Sequence, residues 1–282
     1  MKSISYIFFY FHIILLRVLL LFNNFYKRES FMNKLIAIMM LFSINAFAQD
    51  AAEYKYDPGE TANAAEYYIG SFNKGKDLDD LVDWYDDFAE FADSKGSVYD
   101  NMTVSILTPY FHNDLSTHDF MWVATFPNQS EQFLGLETWV TGGGSKLMEK
   151  LPVTNSQVVN TWQWNISSPS EMSPGSSAYA TYSVCELEDG YNMRQVYDLY
   201  VDMAKYAQSI GDTVGRKMIV PTAGHSLPDG KDFVRLMYTS SISAMGINAE
   251  LFWEKVAGSE AEKNLKGFSC SNANSYIGLI MR

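Results

Sequence analysis

The familiar signatures of catalysis are missing from these 282 residues. No Gly-rich phosphate loop, no G-x-S-x-G and no C-x-x-C occurs, which removes the usual sequence support for nucleotide hydrolysis, serine hydrolysis and thiol redox chemistry. Basic side chains are outnumbered, 21 Lys and Arg against 33 Asp and Glu, for a net charge of −12. A field of that sign repels phosphate backbones and anionic lipid, so nucleic acid and a membrane surface are not expected partners. Cysteine is confined to Cys185 and Cys270. What the chain does have is a 47% hydrophobic content, that of a folded globular protein rather than a disordered one.

The N-terminal 48 residues read as a leader. Met32, Asn33 and Lys34 precede the apolar run 35–42 and then Ala46-Phe47-Ala48, the pattern of a secretory signal peptide over 32–48 with an A-x-A cleavage site. Ahead of it lies a second apolar stretch, 6–22, interrupted by His12 and Arg17. Two readings stand: translation starts at Met32, or 1–31 carries a membrane anchor at the short limit for a spanning helix. Removing 1–48 leaves 16 basic against 32 acidic side chains. The expected product is a periplasmic or secreted protein with no membrane attachment after cleavage, and both cysteines then lie where a disulfide forms.

A Ser/Pro-rich segment, 167–177, divides the mature chain into halves, 60–166 and 178–282, that can be laid over each other. Leu78, Leu81, Val82, Tyr85, Phe88, Ala89 and Ala92 have amphipathic-helix spacing; Met193, Val196, Tyr197, Tyr200, Met203, Ala204 and Ala207 repeat it 115 residues later. Pro109, His112, Asp119 and Phe120 are answered in order by Pro221, His225, Asp232 and Phe233, Trp139 by Trp253, and Asn160-Thr161-Trp162 by Asn274-Ser275-Tyr276. Each half reads strand, helix, strand, strand, helix, strand. In the first half strands are expected near 67–72, 103–111, 120–126 and 158–166, with helices near 78–94 and 131–150. Gly142-Gly143-Gly144 and, in the second half, Gly258 weaken the second helix.

This order resembles the ferredoxin-like units of the dimeric α+β barrel superfamily. The resemblance implies an α+β fold in which two tandem βαββαβ repeats form an intramolecular pseudo-dimer, a monomer, with two four-stranded sheets face to face around a cavity. It implies strand order 4-1-3-2 in each unit, so that the second strand is an edge, in keeping with Pro109 and Pro221, and the third is buried on both faces. It also brings the strand of Cys185 beside that of Cys270. Members of the superfamily include cofactor-independent monooxygenases, haem-degrading enzymes and isomerases or lyases.

Few residues stand out as carriers of chemistry. His112, Asp114, His118 and Asp119 have metal-capable side chains at short spacing, and His225 and Asp232 recur, but Lys231 replaces His118 and the segment is ordinary turn chemistry, so no metal or cofactor is expected. Arg235 sits inside an otherwise apolar strand where the first half has Trp122. With Phe233 and Met237 facing the cavity, it would hold an anionic ligand group, or else form a structural ion pair. Trp122, Trp162, Trp164 and Tyr276 are candidates to line the same space, as pocket walls or as a filled core. The leading expectation is a binding protein for a small apolar or anionic molecule held between the sheets. The alternatives are an enzyme using His112, His225 and Arg235, and a scaffold acting through its surface.

Overall fold

The computed structural model describes residues 54–282. The leader, with its cleavage site and the alternative start, lies outside the described residues; among the described ones no helix is long and apolar enough to cross a membrane.

Local signals explain where the helices begin. Helix α1, Leu78–Asp93, opens on a capping box in which Asp77 accepts from the backbone N–H groups of Asp79 and Asp80 while the Asp80 side chain accepts from the Asp77 N–H. Helix α4, Met193–Ser209, opens on the same device built from Asn192 and Gln195. Each cap is worth about 1 kcal/mol. The second helical segment of the first half breaks at the three glycines, into α2, Gln129–Thr141, and α3, Ser145–Met148. That of the second half runs as α5, Ile242–Leu251, into a π-turn at Phe252–Val256, and resumes after Gly258 as α6, Glu260–Asn264.

The strands are β1 Asn63–Phe72, β2 Thr103–Pro109, β3 Phe120–Phe126, β4 Val153–Ser167, β5 Ser177–Leu187, β6 Gly215–Ala223, β7 Phe233–Thr239 and β8 Phe268–Ile280. They close into one antiparallel barrel in the order β1-β3-β2-β8-β5-β7-β6-β4. Within each half the order is 4-1-3-2. The expected pair of separate facing sheets is corrected: β2 pairs with β8 and β6 with β4, so hydrogen bonding continues around the barrel and neither second strand is an edge. The prolines fit because Pro109 is the last residue of β2 and Pro221 lies opposite Thr161, beside a register irregularity in β4. Strand β4 begins five residues before the expected start, because Thr154, Asn155 and Gln157, in a polar run typical of a loop, pair with the end of β1, with Ser156 at a register shift between them.

Three apolar clusters fill the molecule. One, between α1 and the outer face of the first-half strands, contains Leu81, Phe88, Ile106, Phe120 and Trp122. The second, between α4 and the outer face of the second half, contains Val196, Tyr200, Met218 and Phe233. The third draws on all eight strands, through residues such as Ala65, Leu107, Met121, Val159, Ala180, Ile219, Leu236 and Tyr276, and is the barrel interior. Cys185 and Cys270 stand opposite each other on β5 and β8 and are joined by a disulfide.

Candidate functional site

A cavity of about 200 Å³ lies outside the barrel, between the first-half strands and their helices. Strand β3 supplies its floor through alternate residues Phe120, Trp122, Ala124 and Phe126; α1 supplies Leu81, Trp84 and Phe88; α2 supplies Gly135, Leu136 and Trp139. The rings interlock, with Trp122 edge-on to Phe88 at 5.4 Å and to Trp84 at 5.8 Å, and Phe88 tilted on Trp139 at 5.9 Å. Close approach of α2 depends on Gly135: a Cβ there would meet the Tyr99 ring at 3.0 Å, and the Tyr99 hydroxyl donates to the Gly135 carbonyl at 2.6 Å.

The polar part of the wall is small. Glu66 and Tyr68 point outward from β1, and the Tyr68 hydroxyl donates to Glu66 Oε2 at 2.7 Å. Gln132 Nε2 of α2 donates to Glu66 Oε1 at 3.0 Å and to Asn160 Oδ1 at 2.7 Å. Burial and the neighbouring Glu66 carboxylate push the Tyr68 phenol far above its ordinary value, so it stays a donor. Asn155 lines the β4 side of the pocket, and its Oδ1, like Gln132 Oε1, is buried with no hydrogen-bond partner among the described residues; of the two residues only Asn155 lines the cavity.

Of the candidate site residues named from the sequence, Trp122 alone lines this pocket; Leu81, Phe88, Phe120 and Trp139, named there for the repeat, line it too. Trp164 lies over the second half, edge-on to Tyr197 of α4 at 5.6 Å, and Trp162 occupies the same outward face of β4. Tyr276 alone of the four aromatic residues points into the barrel. The facing of β7 is the reverse of the expected one. Val234, Leu236 and Tyr238 point inward while Phe233 packs under α4, which places Arg235 and Met237 outside. Arg235 therefore faces away from the barrel interior, and among the described residues no carboxylate lies within 4.0 Å of it.

The histidines also separate. His112 packs on His118, ring centroids 5.3 Å apart, and both meet Tyr276, His118 stacking on it at 5.7 Å. Burial, with a smaller contribution from His112, holds the His118 imidazole below its ordinary value. His225 is exposed and hydrogen-bonds Gln157 at 2.8 Å. The recurring aspartates have a structural use: Asp119 accepts from the Phe72 N–H while its own N–H donates to the Gly70 carbonyl, and Asp232 does the same with Leu187 and Cys185. Each pins the start of a third strand to the end of a first.

Sequence reasoning missed Glu66, Asn155 and the placing of Trp84 and Trp139 around one pocket. Trp139 carried a signal, through its alignment with Trp253, but the two positions diverge: Trp253 is 75% exposed. Nothing in the polar run containing Asn155 distinguishes it from a loop.

No family model matches the chain, and no curated protein matches it. Solved structures of similar fold include a candidate monooxygenase from Lactobacillus acidophilus NCFM, at 8% identity and TM-score 0.49, with 78% of this chain and 94% of that one covered. An anthrone oxidase-like protein matches at 8% identity and TM-score 0.46, covering 80% of this chain and 94% of its own. A mutant chlorite dismutase from Candidatus Nitrospira defluvii matches at 12% identity and TM-score 0.41, covering 78% and 91%. At these values the likeness carries no argument about chemistry.

Proposed function

We propose that the protein binds a small, flat, largely apolar molecule bearing one hydrogen-bond donor in the aromatic pocket of its first half. The observation that carries this reading is Asn155 Oδ1, a buried acceptor without a partner in the wall of a cavity otherwise lined by rings. An unmet acceptor of this kind costs about 1–3 kcal/mol, which a ligand O–H or N–H recovers on binding. Aromatic walls with a few fixed polar groups are the general form of a small-molecule site. Binding is preferred over catalysis because the acid and phenol groups are engaged: Glu66 by Tyr68 and Gln132, and Tyr99 by a backbone carbonyl.

The wider setting of this reading is an exported monomer formed by tandem duplication. Support for duplication comes from the capping boxes at Asp77 and Asn192 and from the strand clamps at Asp119 and Asp232, like devices at like places in the two halves. The Cys185–Cys270 bridge suits an oxidising compartment, the periplasm or the cell exterior.

The test uses 2-naphthol and naphthalene as probes, followed by quenching of tryptophan fluorescence, since Trp84, Trp122 and Trp139 line the site. Saturable binding of 2-naphthol about tenfold tighter than naphthalene is expected, the worth of one hydrogen bond. Asn155→Ala should erase that difference, and Ala124→Phe should remove binding of both by filling the floor. Equal affinities of the wild-type protein for the two probes would refute the role of Asn155.

A further inference from the structure

A second cavity, independent of the aromatic pocket, lies inside the barrel. Its volume is about 80 Å³, and its walls include Tyr67, Leu107, Tyr182, Lys217, Leu236 and Tyr238. Among its described lining residues the one charged side chain is Lys217, delivered by β6, whose alternation sends Lys217 and Ile219 inward and Met218 outward.

The two neighbouring cations of β6 are treated differently. Arg216 has its own carboxylate, donating from Nη1 to Asp212 Oδ1 and from Nη2 to Asp212 Oδ2, both at 2.8 Å. Lys217, only 9% exposed, has neutral partners instead: Nζ donates to Asn63 Oδ1 at 2.7 Å and to Gln163 Oε1 at 3.0 Å. Those amide oxygens are held in place by their own amino ends, Gln163 Nε2 donating to the Tyr67 hydroxyl at 2.8 Å and Asn63 Nδ2 to the Ala64 carbonyl at 3.0 Å. No carboxylate lies within 4.0 Å of Nζ among the described residues.

Two of the three N–H directions of the ammonium are thus assigned and its charge is uncompensated. A buried cation in that condition is expensive, and a methionine would fill the same space without the cost. The Tyr67 oxygen already accepts from Gln163, so its own proton is left to donate, with the adjacent Tyr182 hydroxyl as the protein group that shares it when the cavity is empty. The rest of the wall is alkyl, from Leu107, Val123, Ala178, Ala180 and Leu236. At about 10–15 Å³ of such volume per water molecule, the space suits a solute of several heavy atoms.

We propose that the barrel interior is a binding site for a small alkyl carboxylate, its charge held by Lys217 with the phenolic O–H groups of Tyr67 and Tyr238, and its alkyl tail against Leu107 and Leu236. The titratable groups lining the cavity beside Lys217 are Tyr67, Tyr179, Tyr182 and Tyr238, with no acid among the described residues. Burial alone brings the Lys217 amine down to about 7, and burial raises the phenols of Tyr67, Tyr182 and Tyr238, the last to about 12. Below neutrality the site is therefore cationic with neutral donors around it.

Calorimetric titration of the purified protein with acetate, butyrate and chloride at pH 6 and pH 8.5 tests this. Butyrate is expected to bind one to one at pH 6, more tightly than acetate or chloride. It should bind about 30-fold more weakly at pH 8.5, the ratio of ammonium populations for an amine titrating near 7. Lys217→Met, with its fold checked by circular dichroism, should abolish binding. Tyr238→Phe, which keeps the ring and the charge, should weaken it three- to tenfold. Absence of saturable heat in the wild-type protein at pH 6, or binding unchanged in Lys217→Met, overturns the proposal. Chloride binding as tight as butyrate overturns the carboxylate assignment.

Discussion

Lys217 ties the stability of the molecule to pH in a direction opposite to that of a salt-bridged lysine. In the unfolded chain its amine titrates near the ordinary 10.5, and in the fold near 7. Between those values the unfolded state holds the extra proton, so stability rises with pH through that window, and the penalty is fully present below it. From pH 7 to pH 9, below the titration of any buried phenol, the gain is about 2 kcal/mol at 1.4 kcal/mol per pH unit, less the part of the transition already passed. Urea unfolding at the two pH values should show it. Lys217→Met should be the more stable protein at pH 7 and should lose this increment, and a wild-type stability flat across the window would mean that the amine is solvated. Sequence alone did not point to this residue. It pointed to Arg235, because a charge in an apolar strand is visible without a structure. Yet β7 is apolar on both faces, so alternation could not say which face is inside, and a strand read one residue out of phase exchanges every side chain between core and exterior. Lys217 sits in a strand whose register with Asn63 and Gln163 only the closed barrel supplies.

At the level of elements, helix periodicity was the most readable feature, because it depends on residues close in sequence; the caps at Asp77 and Asn192 and the clamps at Asp119 and Asp232 were seen only in the structure. The helix periodicities located α1 to within a residue of its end, and the glycine triplet marked the break between α2 and α3. Replacing Asp77 or Asn192 with Ala should each lower stability by about 1 kcal/mol, seen as a lower denaturant midpoint with unchanged slope. A loss at one site and none at the other would argue against equivalent roles. Asp119→Ala and Asp232→Ala release charge-assisted hydrogen bonds to the ends of β1 and β5, and about 1–2 kcal/mol is expected from each. Hydrogen exchange should rise at Phe72 and Leu187 respectively, a local signature that a general loss of stability would not give. The aromatic pocket was not legible at this level. It arises where three elements distant in sequence meet, and the tryptophans that announce it are of the kind that usually fill a core.

On the scale of the whole molecule, the ends of the described chain cross over between halves. Near its start, the Lys55 N–H and the Tyr56 hydroxyl donate to Asp198 and Asp202 on α4, both at 2.7 Å. At the C-terminus the Tyr85 hydroxyl of α1 donates to the Met281 carbonyl at 2.9 Å and Arg282 pairs with Asp93 at 2.7 Å. The disulfide joins positions 85 residues apart, and for a loop of that length the chain-entropy model gives roughly 4–5 kcal/mol as an upper figure. Reduction should lower the thermal midpoint without unfolding the barrel at room temperature, and a midpoint unchanged by reductant would mean that the unfolded chain is already constrained without the bridge.

The pairing of β2 with β8 and of β4 with β6 also bears on assembly over time. A chain synthesised only as far as Ser167 has both outer strands, β2 and β4, paired on one edge only, and the strands that complete them, β8 and β6, come from the other half. Another molecule in the same condition offers the same missing strands. Refolding at high concentration should therefore divert part of the material into exchanged dimers, in which two chains close each other's barrels through strands identical to those of the monomer. Size-exclusion chromatography of refolded protein across a concentration series would reveal them as a fraction that grows with concentration and reverts only through unfolding.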